Sequence, residues 1–161
     1  MKRKCCHKAY IGIGSNLGRR KLNIQNALSL LTRKNTVKLL KISSFYETKP
    51  VGGPKQPEFL NAAAVVRTEL LPKQLLSLLK DIEKRLGRNF NSVRWGPRLI
   101  DLDILFYDKR VMRTKDLTVP HPQVTERLFV LRPLAQIAPR YKHPNFKKTV
   151  KKLLDELKLR S

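Results

Sequence analysis

Hydrophobic spacing along the chain changes period several times, and each change is bounded by glycine or proline. Residues 8–13 alternate and run into Gly14, the pattern of a short strand. Ile24, Ala27, Leu28 and Leu31 recur at i, i+3, i+4 and i+7, which predicts an amphipathic helix opening near Gly18. Residues 37–48 read as a second strand and residues 59–68 as a third, separated by a Pro/Gly loop at 49–57. Pro72 opens a second helix in its first turn, with Leu75, Leu79, Ile82 and Leu86 inward and Gly87 as its stop. A polar, basic loop then runs to Arg98, and residues 99–106 form a fourth strand. Val150, Leu153, Leu154 and Leu157 mark a C-terminal helix. The order β-α-β-β-α-β with extra C-terminal helices predicts an α+β fold: an antiparallel, ferredoxin-like sheet covered by helices.

Composition narrows the class. A chain of 161 residues suits one domain, and 41% apolar residues are enough for a core. No apolar run approaches the ~20 residues that span a bilayer, which argues against an integral membrane protein. The basic N-terminus lacks the apolar stretch of a secretory signal. Cys5 and Cys6 are adjacent, which disfavours a bridge between them; they read as reduced thiols, and a cytoplasmic location is expected. The charge is +23 and uneven: residues 1–46 hold eleven Lys or Arg and no acid. Such a field attracts polyanions. The bases are scattered, however, with little aromatic interleaving and no nucleic-acid motif, so a merely soluble surface explains them as well.

The sharpest chemistry lies in Arg94-Trp95-Gly96-Pro97-Arg98-Leu99-Ile100-Asp101-Leu102-Asp103-Ile104-Leu105. On a strand, Ile100, Leu102 and Ile104 share one face, while Asp101 and Asp103 share the other. Paired carboxylates suit Mg2+ when a phosphate chain supplies the remaining ligands. Arg88, Arg94 and Arg98 can neutralise phosphate oxygens. A solvated polar face is the plainer alternative. Gly12-Ile13-Gly14-Ser15-Asn16-Leu17-Gly18 misses both nucleotide-loop patterns and reads as a strand-to-helix turn in which Ser15 or Asn16 caps backbone donors. Phe59 and Asn61 point to one face, and with Thr48 and Phe129 they suit a flat heterocycle, although from spacing alone ordinary core packing of the two phenylalanines and a turn-capping role for Asn61 is the better reading. His121 is fenced by Pro120 and Pro122 and is either a phosphate contact or structural.

Together these stretches resemble the 6-hydroxymethyl-7,8-dihydropterin pyrophosphokinases of folate biosynthesis. The likeness covers 9–18, 43–48, 59–63, 86–88, 94–105 and 117–122, in order and spacing from about Ala9 to Pro139. It implies transfer of the β,γ-diphosphate of ATP to the pterin hydroxymethyl group, leaving AMP. Asp101 and Asp103 would hold two Mg2+. The pterin would stack between Phe59 and Phe129 and be read by Thr48, Asn61 and the backbone near Val51, with Trp95 packed under the site. Arg88 and Arg98 would act on the phosphates, while Leu76, Lys80, Glu83, Ile104, Thr118, His121 and Arg127 line the ATP side along with Trp95. Loops 49–58 and 89–94 would close over the substrates.

The chain departs from the family at three places. Phe90 and Lys49 stand where the family often has a basic residue and a proline, and Asp116 where a basic residue can occur. The expected organisation is a basic extension, 1–8, followed by one domain, 9–161, acting as a monomer. Weak, salt-sensitive RNA association is expected of the excess charge. The competing reading is a basic RNA-binding module with an inactive enzyme site.

Overall fold

The computed structural model describes residues 4–88 and 94–161. Their elements are β1 (His7–Ser15), α1 (Arg20–Leu31), β2 (Val37–Ile42), β3 (Tyr46–Thr48), β4 (Phe59–Thr68), α2 (Pro72–Arg85), β5 (Asp101–Tyr107), β6 (Met112–Arg113), β7 (Thr118–Val119), α3 (Leu128–Ile137) and α4 (Val150–Arg160). The main sheet is antiparallel in the order β2-β4-β1-β5, with β3 continuing the β2 side of β4. This is the ferredoxin-like arrangement, α+β, in which the first and third strands of the repeat form the centre.

Helices cover both faces, which is why the central strands read as nearly continuous apolar runs. Ala9, Ile11 and Ile13 of β1 and Leu60, Ala62, Ala64 and Val66 of β4 join the core under α1 and α2. Tyr10, Ala63 and Val65, of opposite parity, join the core under α3 and α4. On β5 the register shifts opposite Tyr10 and Ile11, leaving Leu105 as the extra residue of a β-bulge. Ile100, Leu102 and Ile104 therefore face the first core, Leu105 and Phe106 the second, and Tyr107 returns to the first.

The single strand expected over 37–48 is two strands. Ser43, 5% exposed, interrupts it. Its backbone N–H donates to the Ala63 carbonyl at 2.9 Å, and its hydroxyl accepts from the Ala63 N–H at 2.9 Å. One serine thus satisfies both polar groups of a central-strand residue while the edge strand breaks. Ser43→Ala is expected to strand the Ala63 donor and to cost roughly 1–3 kcal/mol. Urea denaturation would show this as a lower midpoint with an unchanged slope.

Helix α3 has no clear sequence signature because Pro133 occupies its interior. Proline there reads as a breaker, yet Leu131, Leu134 and Ile137 bury at i, i+3 and i+6 against the sheet. The β6–β7 hairpin is equally terse, two residues a side, and it delivers the chain to His121.

Candidate active site

Cross-strand register assembles the site. Asn61 of β4 and Asp101 of β5 both lie opposite Gly14 of β1, and Asp103 lies opposite Gly12. With strands about 4.8 Å apart, Asn61 and Asp101 stand roughly 10 Å apart across a glycine. A Cβ on Gly14 would come within 2.9 Å of the Asn61 side-chain oxygen, and one on Gly12 within 3.3 Å of Leu105. The two glycines leave a floor without side chains between the amide and the carboxylates. They belong to β1 and not to a turn. Their spacing of two on a strand is the signal for a close approach of backbone and ligand.

Above this floor lies a cavity of about 440 Å3 whose lining includes Thr48, Val51, Phe59, Asn61, Lys80, Arg88, Trp95, Arg98, Asp101, Asp103, His121, Arg127 and Phe129. Glycines 12 and 14, Gln56 and Gln123 line it as well; the last two carry no sequence signal of their own. Leu76, Ile104 and Thr118 are not among its lining residues. Leu76 and Ile104 pack into the core under α1 and α2, and Thr118 lies on the β6–β7 hairpin. Glu83 is fully buried behind the wall and bonds Arg88.

At one end of the cavity, the Asn61 amide donates to the Thr48 hydroxyl, and Phe59 and Phe129 are each partly exposed. Arg127 lies over the Phe129 ring at 5.4 Å and bonds the Gln123 side chain. At the other end, Asp101 receives Arg88 at 3.0 Å and Arg98 at 3.2 Å. Glu83 also accepts from the Leu102 N–H at 3.4 Å and lies 3.9 Å from the Lys80 ammonium. Burial, then the neighbouring Asp101 charge, pushes the Asp103 carboxyl up to about 7. Asp101 is already paired with two guanidinium groups, whereas Asp103 has no ion pair among the described residues, and a divalent cation beside it would relieve the burial and the repulsion from Asp101. Among the described residues no group of three or more His, Cys, Asp or Glu is placed to hold a metal unaided. Two carboxylates leave most of an octahedral shell to water and substrate oxygens, the usual condition of Mg2+.

His121 is carried to the cavity by its backbone N–H, which donates to the Leu105 carbonyl at the bulge, 2.9 Å away. Its Nδ1 accepts from the Gln123 N–H at 3.1 Å. Burial and then Arg127 hold the imidazole below its ordinary range. A neutral ring with Nδ1 accepting carries its proton on Nε2, so His121 offers a donor without a charge.

Two loops meet over the cavity. Asn16 does not cap α1. Its amide donates to the Gln56 side-chain oxygen at 2.9 Å and to the Pro57 carbonyl at 3.0 Å, while its own oxygen accepts from the Arg98 N–H at 2.8 Å. Gln56 in turn donates to the Trp95 carbonyl at 2.7 Å. Trp95 holds a left-handed φ of 62°, and Gly52 and Gly53 also have positive φ where a Cβ would strike Trp95 at 2.6 and 2.5 Å. Of the loop 89–94, only Arg94 is described, with its guanidinium over the Trp95 ring at 5.5 Å; Phe90 falls outside the described residues.

A family model described as 7,8-dihydro-6-hydroxymethylpterin-pyrophosphokinase matches residues 10–139. The chain is 50% identical over 129 residues to 2-amino-4-hydroxy-6-hydroxymethyldihydropteridine pyrophosphokinase of Bacillus subtilis, covering 80% of this chain and 77% of that protein. It is 42% identical over 147 residues to the protein of the same name from Aquifex aeolicus, covering 91% and 90%. Among solved structures, the Plasmodium falciparum HPPK-DHPS wild type with pteroate superposes with a TM-score of 0.77 at 18% identity, covering 97% of this chain. The chain spans 43% of that longer chain, and the likeness there is one of fold.

Proposed function

Since the chain belongs to the 7,8-dihydro-6-hydroxymethylpterin-pyrophosphokinase family, we propose that the cavity over Gly12 and Gly14 is where it performs that reaction. The enzyme transfers the β,γ-diphosphate of ATP to the hydroxymethyl group of 6-hydroxymethyl-7,8-dihydropterin in folate biosynthesis. The observation that carries the assignment is the register row Asn61–Gly14–Asp101. It sets an amide suited to the edge of a heterocycle roughly 10 Å from a carboxylate suited to a metal and phosphate, with a bare glycine between them.

In this reading the pterin lies between Phe59 and Phe129, with Asn61 and Thr48 on its edge and the backbone near Val51 at its rim. Val51, 68% exposed, lines the open rim of the cavity. Arg88 and Arg98 hold the diphosphate, and His121 donates from Nε2 to a phosphate oxygen without adding charge. Lys80 and Arg127 border the nucleotide side. Leu76, Ile104 and Thr118, which do not line the cavity, would meet the nucleotide outside it. Two Mg2+ would be held through Asp101 and Asp103, and when bound they neutralise the phosphates and lower the barrier to attack. The hydroxymethyl oxygen forms a bond to the β-phosphorus, the bond from that phosphorus to the bridging oxygen of AMP breaks, and the hydroxyl proton leaves. The protein's share of the catalysis is placement of these groups in a closed site.

A product assay with ATP, Mg2+ and the pterin tests this. AMP appearing only when the pterin is present is expected; ADP, or pterin-independent AMP, would refute it. Asn61→Ala is expected to weaken pterin binding about tenfold or more while ATP binding changes little. Calorimetric titration of each substrate separates the two, and equal losses would move the pterin elsewhere.

A monomeric, cytoplasmic enzyme completes the reading. Its support is that Cys5 and Cys6 are free and exposed, and no described helix is long and apolar enough to cross a membrane. The charge of +23 supports a weak, salt-sensitive association with RNA as a property beside the enzyme activity. The competing module reading, in which RNA binding replaces catalysis, finds no exposed row of aromatics on the sheet among the described residues to stack bases.

A further inference from the structure

At the end of the sheet remote from the cavity, three cations stand in one cross-strand row. Lys8 of β1 and Lys38 of β2 both lie directly opposite Arg67 of β4. Opposed residues of antiparallel strands point to the same face with Cβ atoms about 4.5–5.5 Å apart, and like charges so placed are unfavourable. Lys41, opposite Val65, adds a fourth cation to that face, and its ammonium reaches the Ile137 carbonyl at 3.4 Å. All four residues are exposed. None takes part in a salt bridge among the described residues. On this side of the sheet Asp108 accepts from the Lys8 N–H and from His7, and Glu69 pairs with Lys4. The row is therefore a local excess of positive charge without ion pairs of its own among the described residues.

We propose that the row Lys38–Arg67–Lys8 is a docking surface for the phosphate backbone of single-stranded RNA. The proposal rests on the RNA association proposed above and gives it a place. Charge complementarity argues for a polyanion, because a row of successive cations can meet the successive charges of a phosphate backbone. A lipid surface fits less well. Next inward on the same face Tyr10 and Val65 are 7% and 4% exposed, and the exposed Leu39, Leu40 and Ile42 form only a narrow strip along the β2 edge, so no broad apolar face is available to enter a bilayer. Arg67 lies eight residues along β4 from Phe59, about 27 Å in an extended strand. An RNA on the row leaves the cavity free.

The test is fluorescence anisotropy with a labelled oligouridine RNA, titrated from about 50 to about 200 mM salt. Wild-type protein is expected to bind with affinity falling steeply as salt rises. Each phosphate contact with a single strand contributes about 0.7 to the log–log salt slope. The triple variant Lys8→Ser, Lys38→Ser, Arg67→Ser is expected to flatten the slope by about 2 and to weaken binding about tenfold or more at low salt. The variant Lys21→Ser, Lys73→Ser, Lys84→Ser removes the same charge from exposed positions on α1 and α2 and is expected to change affinity by no more than about twofold. Undiminished AMP formation would show the row variant to be folded; if it is not, the single variant Arg67→Ser is expected to lower the slope by about 0.7. Equal loss from both triples would overturn the surface while keeping the RNA association. No wild-type binding, salt-independent binding, or binding only to vesicles of anionic lipid would overturn both.

Discussion

Asp103→Asn is expected to lower Mg2+-dependent AMP formation by about a thousandfold or more, since a metal ligand contributes several kcal/mol to stabilising transferred charge. The same substitution is expected to raise the melting temperature of the metal-free protein at pH 8. The folded Asp103 carboxyl titrates at about 7, well above the ~3.9 of an unfolded aspartate. Between those values the folded state holds a proton that the unfolded state has lost, so stability declines as pH rises through that window. An asparagine carries no such penalty. The gain should be full above about pH 7 and vanish below about pH 4, with each kcal/mol worth roughly 2–4 °C in a chain of this size. Thermal unfolding in the presence of a chelator reads one effect and the AMP assay the other. A variant that lost activity and stability together at pH 8 would show that Asp103 is a structural residue and not a charge held for a cation.

Gln56→Glu is expected to lower kcat about a hundredfold, although Gln56 touches neither carboxylate. The substitution is nearly isosteric and keeps the acceptor that Asn16 uses. It replaces the N–H that donates to the Trp95 carbonyl with a second oxygen, so two acceptors face each other across 2.7 Å. Trp95 sits in a left-handed backbone conformation that costs an L-residue roughly 1–2 kcal/mol. Without the Gln56 donor, relaxation of Trp95 would pull the adjoining Arg98 from its place beside Asp101. Misplacement of about 1 Å is enough for a loss of that size. Pterin and ATP affinities measured singly should change little. Tightening of one substrate by the other should shrink, because the bonded pair of loops would no longer close as one piece. Intact coupling in the variant would assign the closure to other contacts.

Much of the fold was legible because periodicity is strong where one face dominates. Residues 59–68 and the helix from Pro72 to Gly87 appear nearly where the spacing puts them. The break at Ser43 was hidden because its cause lies in Ala63, twenty residues away, and Pro133 disguised α3 because tertiary burial overrides the local penalty. At the site, Asp101 and Asp103 announced themselves through alternation on one strand. Gly12, Gly14 and Gln56 did not. A glycine floor has meaning only once the register sets Asn61 and Asp101 on either side of it, and a glutamine is informative only through the carbonyl it reaches.

The outer margin of the sheet has its own consequence. β2 is paired on one side only, and Leu39, Leu40 and Ile42 are each more than a third exposed along it. An apolar strand with open backbone groups is a template on which further chains can stack into fibres. Here the register slips between Leu39 and Lys41, so the open ladder is out of phase with any straight strand. Lys38 and Lys41 bracket Leu39 and Leu40, and a second copy pairing antiparallel with these residues opposed would set lysine against lysine. Resistance of this edge to strand-on-strand stacking thus rests on a five-residue stretch, where one irregular step and two ammonium groups guard an otherwise adhesive seam.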